Sequence, residues 1–424
     1  MNLAEVAARL LCAWLVAIPL AEAAERAPRP ISLRDALQRA LSANPRLSAA
    51  EREVGVAGGL KLQAAVLPNP ELAFELDDAL GSGRFQGVRS AETTLQLSQL
   101  IELGGKREAR IAAGDAGVSV AVWQRRASEL DVLSETAIAF ITVISAQRRI
   151  EIFDEQIASF DQLIPLLKRR VEEGASSPAE TQRAQVAADL FRVDRERARS
   201  QLASARRDLA ILMGESLPRF GEAVGRFTST GQPPPFQSVV QAIEANPQLM
   251  RWTAVTAQRN AELILARLKA VPDVHVGAGW RHFQDTGDNA VRLDLSIPLP
   301  VFDQNTGNIL AAEQTLAKAG AERAINRLLL ISVAGRAYDA ASGALAELKL
   351  LRSSIIPNAR SAAETIQNGY TQGRFTLLEL LDVRGSVLQA LLREQEALQN
   401  FHIAVATIEG LVGNPFSLAR ESSR

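Results

Sequence analysis

Four short stretches of the chain alternate between apolar and polar residues, the period of a strand with two different faces. In the first, Leu72, Phe74 and Leu76 alternate with Ala73, Glu75 and Asp77. The second sets Thr93, Leu95 and Leu97 against Glu92, Thr94, Gln96 and Ser98. The third opposes Val274, Val276, Ala278 and Trp280 to His275, Gly277, Gly279 and Arg281. The fourth opposes Val291, Leu293, Leu295 and Ile297 to Arg292, Asp294 and Ser296. Glycine-rich loops, DALGSGRFQGVRS and QDTGDN, join the four into two hairpins. Segments of roughly 9–11 residues with one apolar face match transmembrane barrel strands. Two hairpins carried on a soluble helical domain would alternate in the same way.

The remainder predicts long helices. Residues 101–173 contain one proline, Pro165, and are dominated by Ala, Arg, Glu, Gln and Leu. As one helix this stretch would reach about 100 Å, at a rise of ~1.5 Å per residue. Residues 302–372, interrupted by Pro357, are its counterpart. Each long helix is expected to turn at a glycine and return through a shorter one, residues 178–213 or 376–412. The first return is expected to be completed above by residues 247–270, and the second by residues 45–66. Leu348, Leu351, Ile355, Ala359, Ala362, Ile366 and Tyr370 recur at spacings of three and four, the stripe of a helix–helix seam.

One repeat organises these elements. Asn44-Pro45-Arg46-Leu47 recurs as Asn246-Pro247-Gln248-Leu249, each an N-cap followed by proline at the first helical position. Leu97-Ser98 is matched by Leu295-Ser296, Gly174 by Gly373, and Met213-Gly214 by Val412-Gly413, all about 200 residues apart. The order of the landmarks indicates a duplication. It divides the chain into a first repeat at 31–227, a Pro-rich linker at 228–236, a second repeat at 237–413 and a tail at 414–424. Ahead of them, Leu10 to Leu20 and the small-x-small Ala21-Glu22-Ala23 read as a signal peptide over residues 1–23.

Composition removes whole classes of function. Across 424 residues, 47 Lys+Arg face 48 Asp+Glu, so no basic excess favours nucleic acid. One Cys, three His and three Met leave no metal cluster, redox pair or disulfide framework to build. His275, His282 and His402 form no ligand cluster in sequence, the first two falling on opposite strand faces. No nucleophile elbow, zinc-helix motif or complete phosphate loop occurs, and Gly104-Gly105-Lys106 lacks the earlier glycine because Leu100 stands there. No enzyme, cofactor or catalytic residue is predicted. Nor does any apolar run reach the length of a spanning helix, which leaves strands as the one way to cross a bilayer.

Four strands cannot close a barrel, and an open edge in lipid leaves backbone groups unpaired at several kcal/mol each. Oligomers solve this: two copies give eight strands around a filled interior, three give twelve around a wet pore. The polar-face residues Glu75, Asp77, Gln96, Arg281, Arg292 and Asp294 favour the wet solution, hence a homotrimer with those residues facing the pore.

At this point the sequence resembles a family. The repeated strand–helix plan over residues 31–412 is similar to TolC-type outer-membrane efflux proteins. LPNPELAFELDDALGSGRF and ETTLQLSQLIELGGKREAR resemble segments of the cobalt–zinc–cadmium heavy-metal branch. The resemblance implies an α+β membrane protein: a long antiparallel coiled-coil helical barrel in the periplasm and a twelve-stranded trimeric barrel in the outer membrane. It implies a passive exit duct for heavy-metal cations, in a proton-driven pump with a periplasmic membrane-fusion adaptor and an inner-membrane RND-type transporter. It further implies an aperture at the helical tip formed by Glu379 and Asp382, three residues apart on one helix face, with Glu180 from the first half. The turns at Gly174, Ala175, Ser176 and Ser177 and at Gly373, Arg374 and Phe375 are the expected adaptor-docking tips. A duct for drugs or secreted polypeptides and a soluble periplasmic scaffold are the alternative readings.

Overall fold

A computed structural model describes residues 29–413, so the predicted leader and tail lie outside the described residues. The strands are β2 (Glu71–Asp77), β3 (Glu92–Ile101), β5 (Val274–Phe283) and β6 (Asn289–Ser296), in one antiparallel sheet of order β2-β3-β5-β6. The fourth strand stops at Ser296, one residue before the expected Ile297. The register aligns Leu72, Leu97, Ala278 and Leu293 across the sheet, and Phe74, Leu95, Trp280 and Val291 in the next apolar row. With a side-chain period of two, that alignment puts every apolar row on one face.

Below the sheet the first long helix, α3 (Lys106–Glu172), runs 67 residues without a break, carrying Pro165 inside it. Its counterpart is divided into α7 (Thr306–Leu350), a π-turn (Leu351–Ile355) and α8 (Ile356–Thr371). The return helices are α4 (Pro178–Leu212) and α9 (Leu377–Val412). The π-turn corrects the expected seam. Its N–H from Ile356 reaches the carbonyl of Leu351 five residues back, just before Pro357, which has no N–H to donate. The extra residue rotates the helix, so Leu348, Leu351 and Ile356 are buried, whereas Ile355 and Ala362 face out.

The upper helices are α2 (Pro45–Ala64) and α6 (Pro247–Leu268), and they stack opposite to expectation. The first return helix is continued by α2, and the second by α6. Asn44 Nδ2 donates to Leu212 O at 2.8 Å, while its Oδ1 accepts from Arg46 N at 2.9 Å. Asn246 does the same with Leu411 O at 2.8 Å and Gln248 N at 2.8 Å. One amide thus satisfies an orphan N–H at the start of one helix and an orphan C=O at the end of another. Gly214 (φ 75°) makes the first junction possible, since a Cβ there would lie 2.3 Å from Ala43 O.

Smaller elements gird this junction and were not read from the sequence. Strand β1 (Ile31–Ser32) pairs in parallel with β4 (Ala223–Val224), flanked by helices α1 (Leu33–Ala43) and α5 (Phe236–Ile243). Gln147 on α3 extends the pair with its side-chain amide, bonding Ala223 N at 2.8 Å and Ala223 O at 3.0 Å. Phe236 opens α5, so the irregular linker ends one residue earlier than expected.

Candidate functional site

Three regions carry the sequence-predicted residues: the polar face of the sheet, the elbow beneath it and the helical tip. On the sheet, Glu75, Asp77, Gln96, Arg281, Arg292 and Asp294 share one face. Arg292 on one edge strand bonds Glu75 on the other at 3.0 Å, so the ion pair crosses the full width of this face. Gly279 stands directly beside Arg292 in the register and adds no side chain there; a Cβ on it would lie 2.9 Å from Leu95 O. Arg281 bonds Glu92 at 2.7 Å and Thr94 Oγ1 at 2.8 Å and lies 3.7 Å from Asp77. The opposite face holds Leu72, Phe74, Leu97, Val291, Leu293 and Leu295, exposed by 55–80%. An exposed face made of large apolar side chains in adjoining rows is the kind of surface that suits lipid.

The elbow explains the residues IELGGKR. Gly104 and Gly105 both adopt positive φ (72° and 76°), turning strand β3 into helix α3. Glu102 pairs bidentately with Arg110, and Arg107 and Arg110 donate to the last carbonyls of α2, Ala65 at 2.9 Å and Ala64 at 3.2 Å. Lys106, buried, meets Asp273 at 2.6 Å just before β5. Lys106 therefore joins the two hairpins structurally and cradles no phosphate.

At the tip, the two turns have one geometry. Gly174 N bonds Val171 O at 3.0 Å and Ala175 N bonds Arg170 O at 2.8 Å; Gly373 N and Arg374 N repeat this with Tyr370 O and Gly369 O at 3.0 and 2.8 Å. Both glycines have positive φ, which closes a helix C-terminus at no steric cost. Gly174, Ala175, Ser177, Gly373 and Arg374 are exposed, whereas Ser176 and Phe375 are half-buried. Phe375 folds back on Gly369, where an added Cβ would lie 2.3 Å from the ring.

The three acids expected at the aperture have separate fates. Glu379 closes a capping box, accepting from Thr376 N at 2.7 Å and Thr376 Oγ1 at 2.8 Å, while Glu379 N donates to Thr376 Oγ1 at 3.3 Å. These bonds, the backbone one first, hold its carboxyl below the usual carboxylate range. One carboxylate oxygen of Glu379 thus caps its own helix, while both Glu379 and Asp382 remain exposed. Glu180 accepts from Tyr370 Oη at 3.0 Å, bridging the first hairpin to the second. Burial, and then Glu180, push the Tyr370 hydroxyl pKa up. Arg170 lies over the Tyr370 ring at 5.0 Å and donates to Tyr370 O at 3.1 Å. Sequence reasoning missed Tyr370 and Thr376 as tip residues; only the Thr-x-x-Glu spacing advertised one of them.

Among the described residues, no group of three His, Cys, Asp or Glu is placed to hold a metal ion, and no helix is long and apolar enough to cross a membrane. What the geometry offers is a sheet with one polar and one apolar face above a long antiparallel helical layer. Comparison with known proteins agrees with that architecture. The cobalt-zinc-cadmium resistance protein CzcC of Cupriavidus metallidurans is 30% identical over 91% of this chain and 90% of its own length. The nickel and cobalt resistance protein CnrC of the same organism is 27% identical over 73% and 72%. Among solved structures, CusC superposes with a TM-score of 0.77 at 16% identity, over 90% of this chain and 92% of CusC. A membrane protein from Pseudomonas aeruginosa superposes at 0.78 and 19% identity, over 92% of each chain. The resemblance seen in the strand and elbow motifs therefore holds: the model of the family described as outer membrane efflux protein matches residues 36–215 and 239–414, and this chain belongs to that family.

Proposed function

We propose that three copies of the chain form the outer-membrane exit duct of a tripartite pump that expels heavy-metal cations. One observation carries the cargo: the 30% identity to a cobalt-zinc-cadmium resistance protein extends over nine-tenths of both chains. The duct is passive, since a conduit that held its cargo tightly would not release it.

The trimer is supported by what each copy leaves open. Strands β2 and β6 are unpaired edges of a sheet whose lipid-facing side is apolar. Setting β6 of one copy beside β2 of the next continues the antiparallel order, and three copies close twelve strands around the polar face. The helical layer has unpartnered edges too: Val186, Leu190 and Val193 on α4, and Ile325, Leu328 and Leu329 on α7, are exposed. Asp382 supplies the aperture carboxylate, the exposed turns 174–177 and 373–374 dock a periplasmic adaptor, and an RND-type transporter drives the assembly. The matched junctions at Asn44 and Asn246 support reading the two halves as duplicates.

The test is growth of a deletion strain on graded zinc, cadmium, cobalt, nickel, copper and silver, beside a drug and detergent panel. Selective sensitivity to one or two divalent ions, restored by the gene, is expected. Sensitivity to drugs and detergents with normal metal tolerance would instead assign the duct to a multidrug pump.

A further inference from the structure

Above the tip, one cation is buried against the usual rule. Arg384, two turns along α9, is 6% exposed at the seam between the hairpins. Its guanidinium lies over the ring of Phe160 on α3 at 5.3 Å, and Nη2 donates to Gln367 Oε1 on α8 at 3.1 Å. Nη1 is buried without a hydrogen-bond partner, and no ion pair reaches the group among the described residues. Arginine cannot shed its proton to relieve this. Burial, with no opposing charge, pushes its pKa down. Around it the tip is apolar: Phe160, Leu163, Leu167, Tyr370, Leu377 and Leu380 form one buried cluster. A buried, unpaired charge loses its hydration and gains little in return, so a packing that strands one is destabilised relative to any state that wets it.

We propose that Arg384 biases the tip toward separation of its two hairpins. Closed packing of α9 against α3 strands the guanidinium; moving α9 away from Phe160 rehydrates it. The Glu180–Tyr370 bond holds the hairpins together from below, and Arg384, bonded to Gln367, opposes it from about one helical turn above. Two adjacent elements of opposite sign make a bistable tip, one that a docked partner can shift with modest differential binding. The proposal rests on reading the tip as the aperture of the duct.

The experiment uses the full-length protein, with amide hydrogen exchange in α8 and the start of α9 as one readout and single-channel conductance in planar bilayers as the other. Arg384→Met removes the charge at similar volume, and Gln367→Glu supplies a counter-charge at the same distance. Both are expected to slow exchange at the tip about tenfold and to lower the open probability by a similar factor, the change that about 1.4 kcal/mol produces. The double variant leaves no buried charge, since position 367 is exposed, and should keep the slow exchange of Arg384→Met. Unchanged exchange in both single variants would overturn the proposal. So would faster exchange or a loosened trimer in Arg384→Met, the result expected if a neighbouring copy pairs with Arg384. Slower exchange with unchanged conductance would leave the bias standing and remove the aperture reading.

Discussion

At the scale of single residues, the tip acids illustrate how one carboxylate differs from the next. Glu379, Asp382 and Glu180 look alike in sequence, yet Glu379 caps a helix while as exposed as Asp382, and Glu180 bridges two hairpins. The depressed pKa of Glu379 fixes a sign: the cap is fully present above the usual carboxylate pKa and is lost as pH falls through the lowered value. Protection of the first-turn amides of α9, relative to their intrinsic exchange rates, should therefore fall as pH drops through the lowered value, and Thr376→Ala should abolish that dependence. Tyr370→Phe removes the bond to Glu180 and leaves a half-buried carboxylate with one partner fewer. The expected outcome is a loss of about 1 kcal/mol in the tip and a higher conductance, read by local exchange and bilayer recording. The raised tyrosine pKa keeps this bridge intact through neutral pH; it is lost as pH rises above about 10.

At the scale of elements, junctions decide more than propensity does. Asn44 and Asn246 each hold two helix ends, so Asn44→Ala and Asn246→Ala should each destabilise by about 1–2 kcal/mol in thermal unfolding. Gly214→Ala should be worse than either, because positive φ and a 2.3 Å approach to Ala43 O both forbid the methyl. The caps and glycine turns were legible because their chemistry is local. The stacking of α2 on α4 and α6 on α9 was not: Asn-Pro marks a helix start without saying which carbonyl lies beneath it. Ile355 was misplaced for a related reason. A spacing of three or four assumes an unbroken α-helix, and the π-turn before Pro357 changes the phase by one residue.

At the scale of the whole molecule, alternation along the strands predicts opposite fates for neighbouring residues. Leu293 lies on the apolar face and is 80% exposed, whereas Asp294 lies on the polar face. In the proposed trimeric barrel, Leu293→Arg near the bilayer midplane should destabilise by about 2–4 kcal/mol, and Asp294→Asn should leave insertion unchanged. Heat stability of the outer-membrane trimer on gels measures both, and equal effects would reverse the assignment of faces.

The sequence by itself determined the strands, their two faces, the helix lengths and the turns, because each depends on side chains within a few residues of one another. It carried the family as well, through the NPEL and IELGGKR segments, whose elbow chemistry lies within one stretch of chain. Tertiary structure alone decided which helix continues which, the phase of the seam beyond Leu351, the Glu180–Tyr370 bridge and the isolation of Arg384. Those features depend on groups 190 residues apart in the chain (Glu180 and Tyr370) or more (Phe160 and Arg384), and distances between such groups exist only once the helices have packed.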